Sequence, residues 1–189
     1  MSIDLRVDWC THEAAKFAVM NWHYSKRMPT NKLAKLGVWE SDKFIGSVIF
    51  GTGAAQHIGT PYGLTHQQVC ELVRVALSKH GSPVSQIVAQ AIRTLRDEYK
   101  GLRLIVSYAD TDRNHHGGIY QAMNWVYAGT TKADKEYLVN GIWRHHRSAN
   151  SIAGSVAGLP SKPTSVKHKY LYPLDRAMRK QIAPLAKPY

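Results

Sequence analysis

Residues 69–110 read VCELVRVAL (69–77), SKHGSP (78–83), VSQIVAQAIRTLRDEYKG (84–101) and LRLIVSYAD (102–110). Val69–Leu77 is an apolar strand into which Glu71 and Arg74 are set. Ser82 is placed to cap a helix with Pro83 at its first position. Val84, Ile87, Val88, Ala91, Leu95 and Tyr99 recur at helical spacing and give that helix, over 84–99, one apolar stripe. Leu102–Ala109 is a nearly unbroken apolar strand. Strand, helix and strand in this order demand a right-handed crossover that leaves the two strands parallel.

Outward from this unit the pattern changes. Thr11 begins a helix that runs to Trp22, with Glu13 in its first turn. Lys35–Glu40 and Lys43–Phe50 form a hairpin around Ser41-Asp42. Residues 51–68, rich in Gly, Thr, His and Pro, read as a long loop. Gly117-Gly118 leads into a short helix near Tyr120–Asn124. Tyr137–Val139, Asn140-Gly141 and Ile142-Trp143 spell a second hairpin. Residues 148–165 are rich in Ser, Gly, Ala and Pro and read as a flexible loop, followed by a strand over Val166–Tyr172 and a short basic helix. Hairpins on both sides of a parallel pair make the sheet mixed, so the fold class is α/β (α+β). Residues 1–147 are expected to form the core, and 148–189 a basic extension packed on the same domain.

The 189 residues hold 25 Lys and Arg against 13 Asp and Glu, a net charge of +12. Residues 144–189 contain nine of those cations and only Asp175 among the acids, so the excess is local. Such a bias, with Tyr170, Tyr172 and Tyr189 interleaved, suits a polyanion whose bases or sugars stack. Cys10 and Cys70 make neither a disulfide framework nor a zinc spacing, which fits a reducing, cytoplasmic setting. No apolar run approaches the roughly 18 residues of a membrane span, and Asp4 and Asp8 interrupt any signal-peptide block. No membrane partner is expected.

The order of elements resembles the GNAT acyltransferase fold. That resemblance implies a mostly antiparallel twisted sheet whose central parallel pair splays open, flanked by helices. In that fold a loop before a helix holds the coenzyme A pyrophosphate on free backbone N–H groups. Here the corresponding loop is Lys79–Ser85, with Gly81 as its one glycine. The cofactor-binding residues implied are Arg74, Gly81, Val84, Ser85 and Tyr120. The segment Gly118–Gly129 is similar to the later GNAT helix and strand, and its Tyr120 stands where those enzymes often place a general acid. A homodimer is compatible with this fold.

A narrower resemblance rests on five blocks: His23–Pro29, Val48–Ala54, Glu71–Ala76, Ser107–Asp110 and His115–Trp125. In this order they resemble the phage Mom family. The resemblance covers roughly residues 20–175. It implies an enzyme that converts adenine in double-stranded phage DNA to N6-carbamoylmethyladenine and so protects it from host restriction. Two other readings stay open: an N-acetyltransferase using acetyl-CoA on a protein or small amine, and a non-catalytic DNA-binding protein.

The chemistry sets requirements. Adenine N6 is a poor nucleophile and is paired inside a duplex, so the base must be everted. Trp22, Tyr24, Trp125 and Tyr127 are candidate stacking faces. The carbamoylmethyl group is joined through carbon, so simple acetyl transfer does not finish the product. A glycine-derived small-molecule donor, or acetyl-CoA with a redox metal, meets the need, and the family resemblance raises iron. His23, Glu71, Asp110 and His116 are the candidate ligands, since imidazole plus carboxylate suits non-haem iron. His115 and His116 are alternatively phosphate contacts, and His23 with Asp110 a proton-transfer pair. Arg74 either pairs with Glu71 or Asp110, or clamps an anionic group of the donor. The candidate catalytic set is His23, Tyr24, Arg74, Asp110 and Tyr120. Lys26, Arg27, Arg144, Arg147, Lys167, Lys169, Arg179 and Lys180 are the candidate DNA contacts.

Overall fold

A computed structural model describes residues 4–30, 32–52, 57–111 and 117–188. Its main sheet has seven strands. In chain order these are β1 (Leu5–Trp9), β2 (Leu33–Glu40), β3 (Lys43–Gly51), β4 (Val69–Leu77), β5 (Leu104–Asp110), β6 (Val126–Thr130) and, from late in the chain, β10 (Lys167–Pro173). Their spatial order is β1-β2-β3-β4-β5-β10-β6. Only β4 and β5 are parallel, and every other neighbouring pair is antiparallel. The crossover between them is α2 (Val84–Glu98), as its stripe predicts. Ile87, Val88, Ala91, Ile92 and Leu95 are buried against the sheet with Leu36, Val48 and Ile105. Each such side chain contributes roughly 1.5–3 kcal/mol by leaving water.

On the other face α1 (His12–Trp22) lays Ala15, Ala18 and Val19 on Ile49 and Ala76. Thr11 caps it as expected, accepting the Ala14 N–H at 3.2 Å. A second cluster under Leu104, Val106 and Leu171 takes in Ile58, Tyr62 and Leu64. The described part of the expected loop 51–68 is therefore packed, and it includes a short turn of helix at Thr60–Tyr62.

Leu5–Trp9, for which the sequence pattern predicts no element, is a strand; it is only five residues long and carries Arg6 and Asp8 on its outer side. Two expectations are corrected. Ser82 does not cap α2. The helix begins one residue later, after Pro83, and the Ser82 N–H points elsewhere. Residues 148–165 are not a loop throughout. They contain most of α4 (His146–Ala153), pinned by buried Ala149, and β9 (Ser161–Pro163). With β7 (Lys135–Val139) and β8 (Ile142–His145), β9 makes a second sheet in the order β8-β7-β9. The hairpin read at Asn140-Gly141 is present, both residues having positive φ.

The position of β10 locates this second sheet. Lys167 pairs with Asp110, and His168 with Thr130. The chain therefore leaves β6 and returns to β10 at the end of the sheet where β4 and β5 also terminate. Residues 131–166 are an insertion at that end. The helix α3 (Gly118–Ala122) lies on the sheet, its Tyr120 stacked on Tyr170 of β10, and α5 (Arg176–Ile182) follows the other end of β10 directly.

Candidate active site

The parallel pairing of β4 and β5 runs from Val69 opposite Leu104 to Leu72 opposite Ser107, and stops there. The register of β4 on β3 shifts at the same level, from Ile49 opposite Arg74 to Phe50 opposite Leu72. Val73 is the extra residue of this bulge, and a bulge bends its strand. Beyond it the two strands diverge. The gap is a cavity of about 380 Å³, walled by Val73–Val75 and Leu77 of β4 and by Tyr108 and Ala109 of β5. Trp22–Tyr24, His80, Val84 and Gly117–Tyr120 close its sides.

A hydrogen-bond chain pins the apex. The Ser107 hydroxyl donates to the Leu72 carbonyl at 3.0 Å, so the Tyr120 phenol, 2.8 Å away, donates to Ser107. Burial pushes the Tyr120 pKa up, against the opposing effect of the Ser107 bond, and the phenol keeps its proton. Tyr120 is stacked on Tyr170, ring centroids 4.7 Å apart. Tyr170 in turn needs Gly117, whose φ of +70° and missing Cβ leave room for the tyrosine ring.

Arg74 donates from Nη1 to the Val73 carbonyl at 2.7 Å, while its Nε is buried without a partner. Among the described residues no ion pair joins Arg74 to Glu71 or Asp110. His23 is 8% exposed. Its Nδ1 accepts the Ser25 backbone N–H at 3.1 Å, with the Ser25 hydroxyl 2.8 Å away. That bond places the neutral ring's proton on Nε2. Tyr24 lies against the imidazole at 4.3 Å and is 48% exposed.

The cavity thus gathers His23, Tyr24, Arg74, Val84 and Tyr120 from the expected set. Asp110 lies elsewhere. It accepts from the Ser165 hydroxyl at 3.2 Å and lines a neighbouring cleft with Lys132, Asp134, His145 and Lys167. Glu71 is in the paired part of β4, opposite Val106. Among the described residues no three His, Cys, Asp or Glu side chains are grouped so as to hold a metal ion. His23, Glu71 and Asp110 therefore do not fit an iron site as a set, and His115 and His116 lie outside the described residues. Trp125 is 6% exposed, packed on Tyr120 and Tyr172, and so is a core residue and not a stacking face. The Tyr127 hydroxyl is bonded to His168 at 2.9 Å.

The loop before α2 holds a residue that sequence reasoning missed. The carboxylate of Glu40, the last residue of β2, accepts the Gly81 N–H at 3.0 Å and the Ser82 N–H at 2.6 Å. The Ser82 hydroxyl bond comes first among the effects that hold the Glu40 pKa below the usual value, with the Gly81 amide next. Pro83 has no N–H at all. Gly81 and Ser85 do not line the cavity, and His80, which does, is anchored through Nδ1 to the Ser82 carbonyl at 2.8 Å. As folded, this loop does not fit a diphosphate.

The candidate DNA contacts fall into groups. Lys26 and Arg27 are exposed just past the cavity wall at Tyr24. Arg144, Arg147 and Lys167 lie on or beside the inserted sheet, with the Arg144 Nε buried and unpartnered. Lys169 is half-buried over the Tyr62 ring at 5.1 Å, and burial lowers its pKa. Arg179 and Lys180 are exposed on α5, beyond the opposite end of β10 from Lys167.

The model of the Mom protein family matches residues 4–189. This chain is a member of the Mom protein family. A Mom relative, the methylcarbamoylase mom of Escherichia phage Mu, is 26% identical over 194 residues, covering 96% of this chain and 80% of that one. Solved acyltransferases share the fold of this Mom chain. A Bacillus subtilis acetyltransferase in complex with coenzyme A matches at TM-score 0.53 and 13% identity, over 92% of this chain and 100% of that one. FeeM, an N-acyl amino acid synthase from uncultured soil microbes, matches at 0.56 and 11%, over 97% and 98%. An aminoglycoside acetyltransferase in complex with coenzyme A and kanamycin matches at 0.56 and 9%, over 94% and 98%. The mixed sheet with its splayed parallel pair is thus the GNAT fold, carried by a Mom sequence.

Proposed function

We propose that this Mom-family chain modifies adenine in double-stranded DNA, joining a carbamoylmethyl group to N6, and that the product shields phage DNA from host restriction in the cytoplasm. The observation that carries the reading is the cavity at the strand split. It sets a protonated buried phenol and an arginine Nε without a partner around one space. Similarity to a methylcarbamoylase supports the class of group transferred.

The residues divide the work as follows. The everted adenine stacks on Tyr24, at the exposed rim. His23 donates from Nε2 to a ring nitrogen of the base and orients it; in this tautomer it does not take the N6 proton. Arg74 Nε donates to an acceptor oxygen of the donor, and the buried position makes that bond strong. As the N6–CH2 bond forms, the bond from that methylene to the leaving atom breaks, and the Tyr120 hydroxyl turns from Ser107 and gives the leaving atom its proton. The proton that N6 loses in the same step passes through water to the Tyr120 oxygen and restores the phenol, whose raised pKa favours the protonated form. No step is routed through iron or coenzyme A, since the described residues group no three metal ligands and the loop before α2 is engaged by Glu40. Lys26, Arg27, Arg144, Arg147 and Lys167, at the cavity end of the sheet, hold the phosphates. A second reading, acetyl transfer from coenzyme A to an amine, is favoured by the fold of the solved neighbours alone.

DNA from cells producing the chain, digested to nucleosides and weighed by mass spectrometry, tests the proposal. Carbamoylmethyl-adenosine is expected. Unchanged adenosine together with an acetylated protein or amine overturns it in favour of the second reading.

A further inference from the structure

We propose that Glu40 selects the donor: its carboxylate fills the anion cradle at the start of α2, and a diphosphate-bearing molecule binds there only by displacing it. This rests on the reading that a small-molecule donor enters the cavity at the strand split, and it names the class that donor belongs to.

Glu40 is held in place by the fold. It pairs with Leu5 of β1 and Lys43 of β3. The turn that follows is tight, with Ser41 and Asp42 both at positive φ and the Ser41 N–H bonded to the Asp4 carbonyl at 2.9 Å. From this position the carboxylate meets the loop between β4 and α2, which is forty residues on in sequence. Both Gly81 and Ser82 amides and the Ser82 hydroxyl are spent on it. Ser82 is 4% exposed, and its N–H bond to the carboxylate at 2.6 Å is a charge-assisted one.

The consequence is electrostatic. A free helix start with a glycine-rich loop offers several amides to a phosphate. Here the Gly81 and Ser82 amides are used and Pro83 has none, which leaves the first amides of α2 itself, at Val84 and Ser85. A phosphate brought to those two would lie beside the Glu40 charge and be repelled by it. Glu40 does not cap α2, whose N-cap Pro83 makes no side-chain cap bond; it occupies the two amides just before the helix. A donor without phosphates meets no such barrier. It reaches the cavity past Val84 and finds the Arg74 Nε as its hydrogen-bond anchor. The site is thus built for a small phosphate-free donor.

Calorimetric titration of the full chain with coenzyme A, and separately with pantetheine, which is the same arm without phosphates, tests this. The proteins compared are wild type, Glu40→Gln and Glu40→Ala. Coenzyme A is expected to bind both variants about tenfold or more tighter than wild type, the scale of removing one like-charge contact. Inorganic pyrophosphate should compete in the variants, and pantetheine should bind all three alike. A gain of affinity does not arise from misfolding, and Gln keeps an acceptor for the Gly81 and Ser82 amides. Equal coenzyme A affinity in all three proteins overturns the proposal, as does a pantetheine gain that matches the coenzyme A gain. The readout is independent of product formation, so a chain that leaves adenine unmodified would refute the proposed function without altering these titrations.

Discussion

Gly117 and Gly118 are neighbours with opposite expected responses to the same substitution. Gly117 has φ +70°, and a Cβ built on it overlaps the hydroxyl and ring of Tyr170; one on Gly118 meets nothing within 4 Å. In Gly117→Ala the left-handed backbone alone costs roughly 1–2 kcal/mol. Tyr170 is fully buried, and pushing it aside adds about 1–3 kcal/mol of overpacking. The sum, about 2–5 kcal/mol, is a large share of the roughly 5–15 kcal/mol that holds a typical domain together. For a chain of this length it lowers Tm by roughly 4–20 °C. Gly118→Ala should stay within about 0.5 kcal/mol of wild type. Because Tyr170 stacks on Tyr120, the first variant should also lose modified adenosine at temperatures where it remains folded. Thermal melting by circular dichroism at neutral pH, paired with nucleoside analysis of DNA from producing cells, reads both effects. Equal melting of the two variants would refute the packing argument.

Other perturbations have clear signs. Asp175 accepts two bonds from Arg103, at 2.7 and 3.1 Å, and caps α5 through the Met178 N–H, so its pKa is lowered chiefly by Arg103. A lowered folded-state pKa stabilises fully above the ordinary value of 3.8 and is lost as pH falls through the folded one. Asp175→Ala should therefore melt earlier than wild type at pH 7, by about 1 kcal/mol of capping, and the two should converge in strong acid. Burial pushes the Cys10 thiol up to about 11 and Cys70 higher still. Iodoacetamide at mildly alkaline pH should label the native chain slowly and the denatured chain fast; equal rates would contradict that burial. DNA affinity, read by gel retardation, should fall steeply with added salt as bound counterions are released, and a flat response would remove the phosphate contacts from the account.

Much of the fold is readable in the residues because local signals agree with the tertiary result. The α2 stripe, the Thr11 cap and the Asn140-Gly141 turn each have one good solution. The apolar strand at 104–110 has to be central, since Leu104, Ile105 and Val106 are all buried. Readability fails where one signal serves two masters. Ser82 looks like a cap, yet its amide goes to a carboxylate from β2, a contact no local pattern announces. Leu5–Trp9 is too short to show its period. Ala149 reads as linker composition, although its small side chain is what lets α4 pack closely.

The candidate site divides along the same line. Tyr120, Arg74 and His23 are found because they stand in apolar or aromatic surroundings near strand and helix ends, and the structure brings them to one cavity. Asp110 ends the neighbouring strand, but one residue of alternation and the start of the inserted sheet turn it to another cleft. Glu40 and His80 were missed, since an isolated glutamate at a hairpin and a histidine in a loop are ordinary in sequence.

The account stands on the space between β4 and β5 being the place of reaction. Its most direct measurement is the adenosine modified in DNA from cells producing wild type, Arg74→Ala or Tyr120→Phe, each checked for native melting. A heavier adenosine in the wild-type sample, reduced by about tenfold or more in both variants, is the predicted result, the size expected for losing one transition-state hydrogen bond or acid. Full modification in either folded variant would contradict it.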